Sequence, residues 1–254
     1  MAMYLGNKKV AVTNTIEKQV PSMKAFFEAG GKCSNSTATS FDGCWQYDDS
    51  ANVTDMYYMF YNCSKLTAVP LFDTSKVTSM VSMFYNCYNL TAVPLFDTSK
   101  VTSMASMFYY CYSIATVPLF DTSKVTNMAS MFYYCSKLTR VPLFDTSKVT
   151  SMAYMFGVCS KLTTVPQFDA SNVTSMNYMF SNCNNLEAIH MININAKLDI
   201  SASTKFTREA LIEIIGNLKA QTSGTKTLTM GATNLAKLTD EDKAIATNKG
   251  WTLA

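Results

Sequence analysis

Ionic side chains are scarce in this chain. Asp, Glu, Lys and Arg make up 15% of 254 residues, the net charge is +3, and no stretch gathers Lys or Arg. The electrostatic footprint that a phosphate backbone requires is therefore missing, which argues against nucleic acid as a partner. There is a single histidine, His190, no CxxC pair and no Gly-rich phosphate loop. Zinc ligation lacks its usual short-range pairs, and a nucleophile would lack a base. The expectation is a protein with no catalytic residues, no metal and no cofactor, and hence not an enzyme. No run of eighteen or more apolar residues occurs, and the start, MAMYLGNKKVAVT, has no apolar core after its lysines. The chain is expected to be soluble, without membrane insertion and without a recognisable secretion signal.

What is present is repetition. Cys63, Cys87, Cys111, Cys135, Cys159 and Cys183 recur every 24 residues, and VPLFDTSKVT stands verbatim at Val69, Val93, Val117 and Val141. A fifth copy, VPQFDASNVT, starts at Val165, and weaker copies flank the series. Within one unit Met80, Met83, Phe84, Cys87 and Leu90 fall at spacings of three and four, which predicts one buried face of a short helix. LTAV before Pro70 predicts a single short strand that the proline ends, and Val77-Thr78 opens a second extended stretch. Phe-Asp-Thr-Ser after the proline predicts a turn whose Asp and Ser side chains hold backbone amides. A unit this small cannot bury its apolar face alone. Copies must stack, and five to seven layers would make a core of roughly 24 to 34 Å.

These residues resemble the BspA-type leucine-rich repeats of bacterial surface proteins. The match in one unit runs through Leu66, Val69, Pro70, Val77, Met80, Met83, Phe84 and Cys87, in a variant carrying Phe-Asp-Thr-Ser-x-Val-Thr-x-Met and Met-Phe-x-x-Cys. It extends from residue 52 to about 192. It departs from the family's usual pattern in having Met for Ala before the Phe and a slightly shorter unit. The resemblance implies an α/β repeat solenoid, a leucine-rich-repeat-like rod of strand, turn and short helix with terminal caps. Residues 39–200 form the solenoid in this reading, with five full units over 63–182. Residues 1–38 are an N-terminal cap or attachment segment, and 201–254 an α/β cap. In that last stretch Thr207 caps a helix whose Leu211, Ile214, Ile215 and Leu218 share a face, TKTLTM alternates like a strand, and Thr239 caps a second helix that stops at Gly250. The terminal segments also resemble those flanking such repeats in prophage-type proteins.

Several residue types invite chemistry. Six cysteines lie on the Met-Phe face and are expected to be buried reduced thiols, while Cys33 and Cys44 lie outside the regular units and could pair in an oxidising compartment. The twelve methionines at paired positions, Met56 with Met59 through Met176 with Met179, are expected to fill the core rather than bind soft metals. Asp73, Asp97, Asp121, Asp145 and Asp169 could in principle gather calcium, but turn capping with a Lys three residues on in four units is the expected role. His190 has no evident partner in sequence.

Positions that vary between copies are those the core does not dictate. Twelve of fourteen tyrosines fall there. Tyr57, Tyr58, Tyr85, Tyr88, Tyr109, Tyr110, Tyr112, Tyr133, Tyr134 and Tyr154 are the candidate ligand-binding residues, with Tyr61 and Tyr178 in the same band. A band of Tyr among Asn and Ser has the composition of adaptable binding surfaces. The expected function is a noncatalytic module recognising a protein or glycan at a cell surface, of the adhesin or virion host-attachment type. The alternative is a structural spacer whose rings only stack. The expected location is a cell surface or virion, otherwise the cytoplasm, with possible attachment to a larger assembly through the N-terminal segment.

Overall fold

The computed structural model describes residues 53–69 and 71–254, together with two short strands near the start, β1 (Met3–Leu5) and β2 (Lys8–Val10), which pair antiparallel. The Cys33 and Cys44 pairing, and the role expected of residues 1–38 beyond these strands, lie outside the described residues.

The repeats stack in register. Parallel bridges join Asp55 to Ser79, Ser79 to Ser103, Ser103 to Asn127, Asn127 to Ser151 and Ser151 to Ser175, one per 24-residue step. Each equivalent residue therefore sits over its copy, and like side chains form columns. Phe60, Phe84, Phe108, Phe132, Phe156 and Phe180 make one column with ring centroids 5.2 to 5.9 Å apart and planes within 8° of parallel. Phe72, Phe96, Phe120, Phe144 and Phe168 form a second buried row beside it. The paired methionines, the six cysteines and Leu66, Leu90, Leu138, Leu162 and Leu186 are fully buried or nearly so.

The segment expected to be a short helix is not one. In each unit the second half is a chain of tight turns, and no helix occurs among the described residues before Arg208. Two residues per full unit take positive φ, as Ser82 (55°) and Asn86 (62°) do in the second layer. These left-handed residues redirect alternate amides. Met83, Tyr85 and Cys87 donate to carbonyls three residues back, at 3.1 to 3.3 Å. Met80, Ser82, Phe84 and Asn86 donate instead to Ser103, Ala105, Met107 and Tyr109 of the next layer, at 2.8 to 3.1 Å. An α-helix spends its amides internally. This segment spends half of them on its neighbour, which is how the layers are tied together. The spacing of three and four still places Met80, Met83, Phe84, Cys87 and Leu90 in the core, so the buried set was read correctly and the backbone was not.

The expected strand before the proline is weak in most copies. Thr91 donates to Thr67 at 3.0 Å and Thr139 to Ala115 at 3.1 Å. Only β3 (Thr164–Val165) and β4 (Ala188–Ile189) form a regular parallel pair. The Val-Thr stretch is better held. Thr78, Thr102, Thr126, Thr150 and Thr174 each donate both amide and hydroxyl to the threonine carbonyl one layer back.

After the repeats come β5 (Leu198–Asp199), α1 (Arg208–Gly216), β6 (Lys226–Thr229), α2 (Ala232–Leu235), α3 (Asp240–Asn248) and β7 (Trp251–Leu253). The three strands form a parallel sheet in the order β5-β6-β7. Thr207 caps α1 by accepting from the Ala210 amide, and Leu211, Ile214, Ile215 and Leu218 are buried. Thr239 and Asp242 form a capping box on α3, and Arg208 grips the Asp242 carboxylate with Nε and Nη2 at 2.8 and 2.7 Å. One carboxylate thus fixes both a helix start and the contact between two helices.

Candidate functional site

The tyrosines occupy the turn segment of the stack, between the two buried methionines, between the buried phenylalanine and cysteine, or just after the cysteine. They are less exposed than a free band would be. Tyr57, Tyr88, Tyr154 and Tyr178 are exposed, at 37 to 59%, whereas Tyr58, Tyr61, Tyr85, Tyr109, Tyr110, Tyr112, Tyr133 and Tyr134 are half-buried. The structure brings all ten candidates into one connected group of rings. Tyr61, Tyr85, Tyr109 and Tyr133 form a column, with centroids 5.3, 4.4 and 4.8 Å apart and the central pair parallel to within 4°. Tyr110 and Tyr134 lie beside it at 4.6 Å from each other, and Tyr88 stacks on Tyr112 at 5.2 Å. Tyr112 meets Tyr110 at 5.6 Å, and Tyr57, Tyr58 and Tyr61 cluster at the first layer.

The column ends at Gly157, which occupies the position equivalent to Tyr133 one layer on. A Cβ there would stand 2.7 Å from the Tyr133 ring, so the glycine supplies the space that the ring covers. Beyond it Tyr133 meets Tyr154 edge-on at 5.7 Å, and Tyr154 stacks on Tyr178 at 4.9 Å. Stacking carries an electrostatic consequence. Burial, joined by the neighbouring hydroxyls of Tyr85, Tyr110 and Tyr133, pushes the Tyr109 phenol well up, and burial likewise raises Tyr85, Tyr112 and Tyr133. These phenols stay neutral at physiological pH and offer hydroxyl donors along a rigid, flat aromatic surface.

The other residues that invite chemistry have structural roles here. The six described cysteines are reduced and buried. From Cys87 to Cys183 each thiol donates to the carbonyl of the phenylalanine 27 residues earlier, at 2.9 to 3.2 Å. Burial raises Cys111, Cys135 and Cys159 strongly and pushes Cys183 up to about 12, so these thiols are not poised as nucleophiles. The five aspartates accept from the serine amide two residues on, at 2.8 to 3.0 Å, as turn caps. Among the described residues no group of three or more His, Cys, Asp or Glu is arranged to hold a metal ion. His190 does have a partner, contrary to the sequence reading: its Nδ1 lies 2.7 Å from Glu213 Oε1 on α1. The expectation failed because Glu213 is 23 residues away in a different structural context.

One surface was missed. Leu71, Leu95, Leu119 and Leu143 are 54 to 60% exposed, although each precedes a buried phenylalanine. A signal existed, because the fifth copy carries the polar Gln167 at this position and tolerates it.

These features define a repeat protein built of stacked layers. The model of the family described as "Mycoplasma protein of unknown function, DUF285" matches residues 22–118 and 115–210, and the chain belongs to that family. Membership of such a repeat family fits a noncatalytic surface or binding module in general. No curated protein matches the chain. Among solved structures it is similar to the leucine-rich repeat protein of T. pallidum, at 14% identity over 85% of each chain with a TM-score of 0.40. A likeness that distant carries no argument, and the repeat fold rests on the layers themselves. Among the described residues no helix is long and apolar enough to cross a membrane.

Proposed function

We propose that the chain is a noncatalytic recognition module, a leucine-rich-repeat-type rod that presents its tyrosine band to a protein or glycan at a cell surface. The observation that carries this reading is the connected ring group centred on Tyr85, Tyr109, Tyr110 and Tyr133, preformed by stacking rather than assembled on binding. A preformed aromatic surface loses little conformational entropy when a ligand docks. The adhesin or virion host-attachment setting, a prophage origin, the terminal caps at 1–38 and 201–254 and attachment through the N-terminal segment belong to this proposal.

The half-burial of eight rings favours a second reading, a spacer in a larger assembly whose tyrosines only stabilise the stack. An immobilised panel of glycans and bacterial surface proteins separates the two. The binder gives retention that falls when Tyr85, Tyr109, Tyr110 and Tyr133 are changed to Ser, and the spacer gives none on any member of the panel.

A further inference from the structure

Among the described residues, the inter-layer hydrogen-bond ladder of the turn segments ends at the layer of Met176 and Tyr178. In the five preceding units the amides equivalent to Met176 and Tyr178 donate to the next layer, as Met152 does to Ser175 at 2.9 Å and Tyr154 to Asn177 at 2.9 Å. By register the next acceptors would be Asp199 and Ser201. That segment is drawn aside, because Ile200 donates to Thr229 of β6 at 2.8 Å and the Ser203 carbonyl accepts from Asn234. The amides of Met176 and Tyr178 have no partner among the described residues, and a pocket of about 460 Å³ opens between them and the strands β5 and β6. A second pocket of about 450 Å³ continues it toward Asn195 and Lys226, sharing Met176, Asn177 and Lys197 as walls. Each volume suits a small ligand.

The lining has a definite chemistry. Tyr178, 59% exposed and backed by Tyr154, offers a ring face at one end. Thr227 and Thr229 supply hydroxyls. Lys197 stands where the two pockets meet, and Lys226 is anchored in the second by the Asn195 carbonyl and side-chain oxygen. Asp199, the acidic lining residue, has its Oδ1 occupied by the amide and hydroxyl of Ser201. Free amides in a left-handed turn that share a pocket with Lys197 favour an anion, since such turns form anion-binding concavities. An aromatic face with hydroxyl and amide neighbours favours a pyranose ring.

We infer that this groove is a binding site for a carboxylated sugar, with the ring on Tyr178 and the carboxylate between the Met176 and Tyr178 amides and Lys197. It shares Tyr178 with the far end of the tyrosine band but uses none of Tyr85, Tyr109, Tyr110 and Tyr133, and neither reading depends on the other.

The test titrates the full chain with trigalacturonate and with sialyllactose, each beside its carboxyl-reduced counterpart, and with a hexaglutamate peptide. Binding of at least one sugar is expected, weakened about tenfold or more by carboxyl reduction, by Tyr178→Ala and by Lys197→Gln. Lys197→Gln should leave the unfolding midpoint in place because its side chain is exposed, and Tyr178→Ala should lower it only slightly, through the lost stack on Tyr154. A variant with Tyr85, Tyr109, Tyr110 and Tyr133 changed to Ser should keep this binding. The inference is overturned if neither sugar binds at millimolar concentration, if the reduced sugars bind equally well, if the variants bind like the parent, or if hexaglutamate binds as tightly as the sugars.

Discussion

Phe108 and Tyr109 are neighbours in sequence with opposite surroundings. Phe108 is fully buried between Phe84 and Phe132, and Tyr109 is half-buried in the outer column. Phe108→Ala should destabilise the chain by about 3 to 5 kcal/mol in denaturant unfolding through the cavity it leaves, and Tyr109→Ser should cost clearly less. Equal losses would contradict the inward and outward assignment. Val158 shows a different residue-scale effect. It is β-branched at φ 62°, where its equivalents in other layers include Asn62, Asn86 and Asn182. Asn tolerates this region, and Asn86 and Asn62 also bond to each other at 2.6 Å. Val158→Asn should therefore raise stability by about 1 kcal/mol, measured by the unfolding midpoint. Inward positions were legible in sequence because burial follows from invariance between copies. The thiol bonds to phenylalanine carbonyls were not, since a small apolar residue and a weak donor are the same letter.

At the scale of the turn and the layer, spacing misled where backbone conformation decided. A periodicity of three and four fits both a helix and successive turns, and only the left-handed residues tell them apart. Asn86 is a sign of such a turn, but Tyr110 and Tyr134 at its equivalent positions, and Ser82 at the unit's other left-handed position, hide it. The Phe-Asp-Thr-Ser turns were legible, and they predict a pH response. The Ser99, Ser123 and Ser147 hydroxyls and then their amides lower Asp97, Asp121 and Asp145, while at Asp73 the Ser75 amide leads. At Asp169 burial alone would raise the group, and the bonds from Asn193 and Ser171 outweigh it. A folded value below the unfolded one gives stability that is present above about pH 4 and lost as pH falls through the depressed value. The unfolding midpoint should drop from pH 5 toward pH 3, and a variant with Asp97, Asp121 and Asp145 changed to Asn should drop less. An unchanged slope would remove the turns from the account. Gly157 tests the coupling between layers. Gly157→Ala should cost about 1 to 3 kcal/mol through the clash with Tyr133, and most of that loss should vanish when Tyr133 is Ala. Additive losses in this double-mutant cycle would show that the ring does not cover the glycine.

At the scale of the whole molecule, the stack was legible because exact repetition forces equivalent residues into columns, and the stacking of Tyr61, Tyr85, Tyr109 and Tyr133 followed from that. Their half-burial did not, because it depends on how closely the turn segments approach. Nor did the exposed leucine row or the groove behind the last layer, since both arise from where neighbouring layers meet or part. The result is a molecule whose interior is uniform along the stack while its outer rings differ from layer to layer. The most direct measurement of its central claim is the binding of the labelled protein to intact bacterial cells, set against the variant with Tyr85, Tyr109, Tyr110 and Tyr133 changed to Ser and matched for unfolding midpoint. Saturable binding by the parent that is lost in the folded variant is the predicted result, and equal binding by both proteins, or none by either, would contradict it.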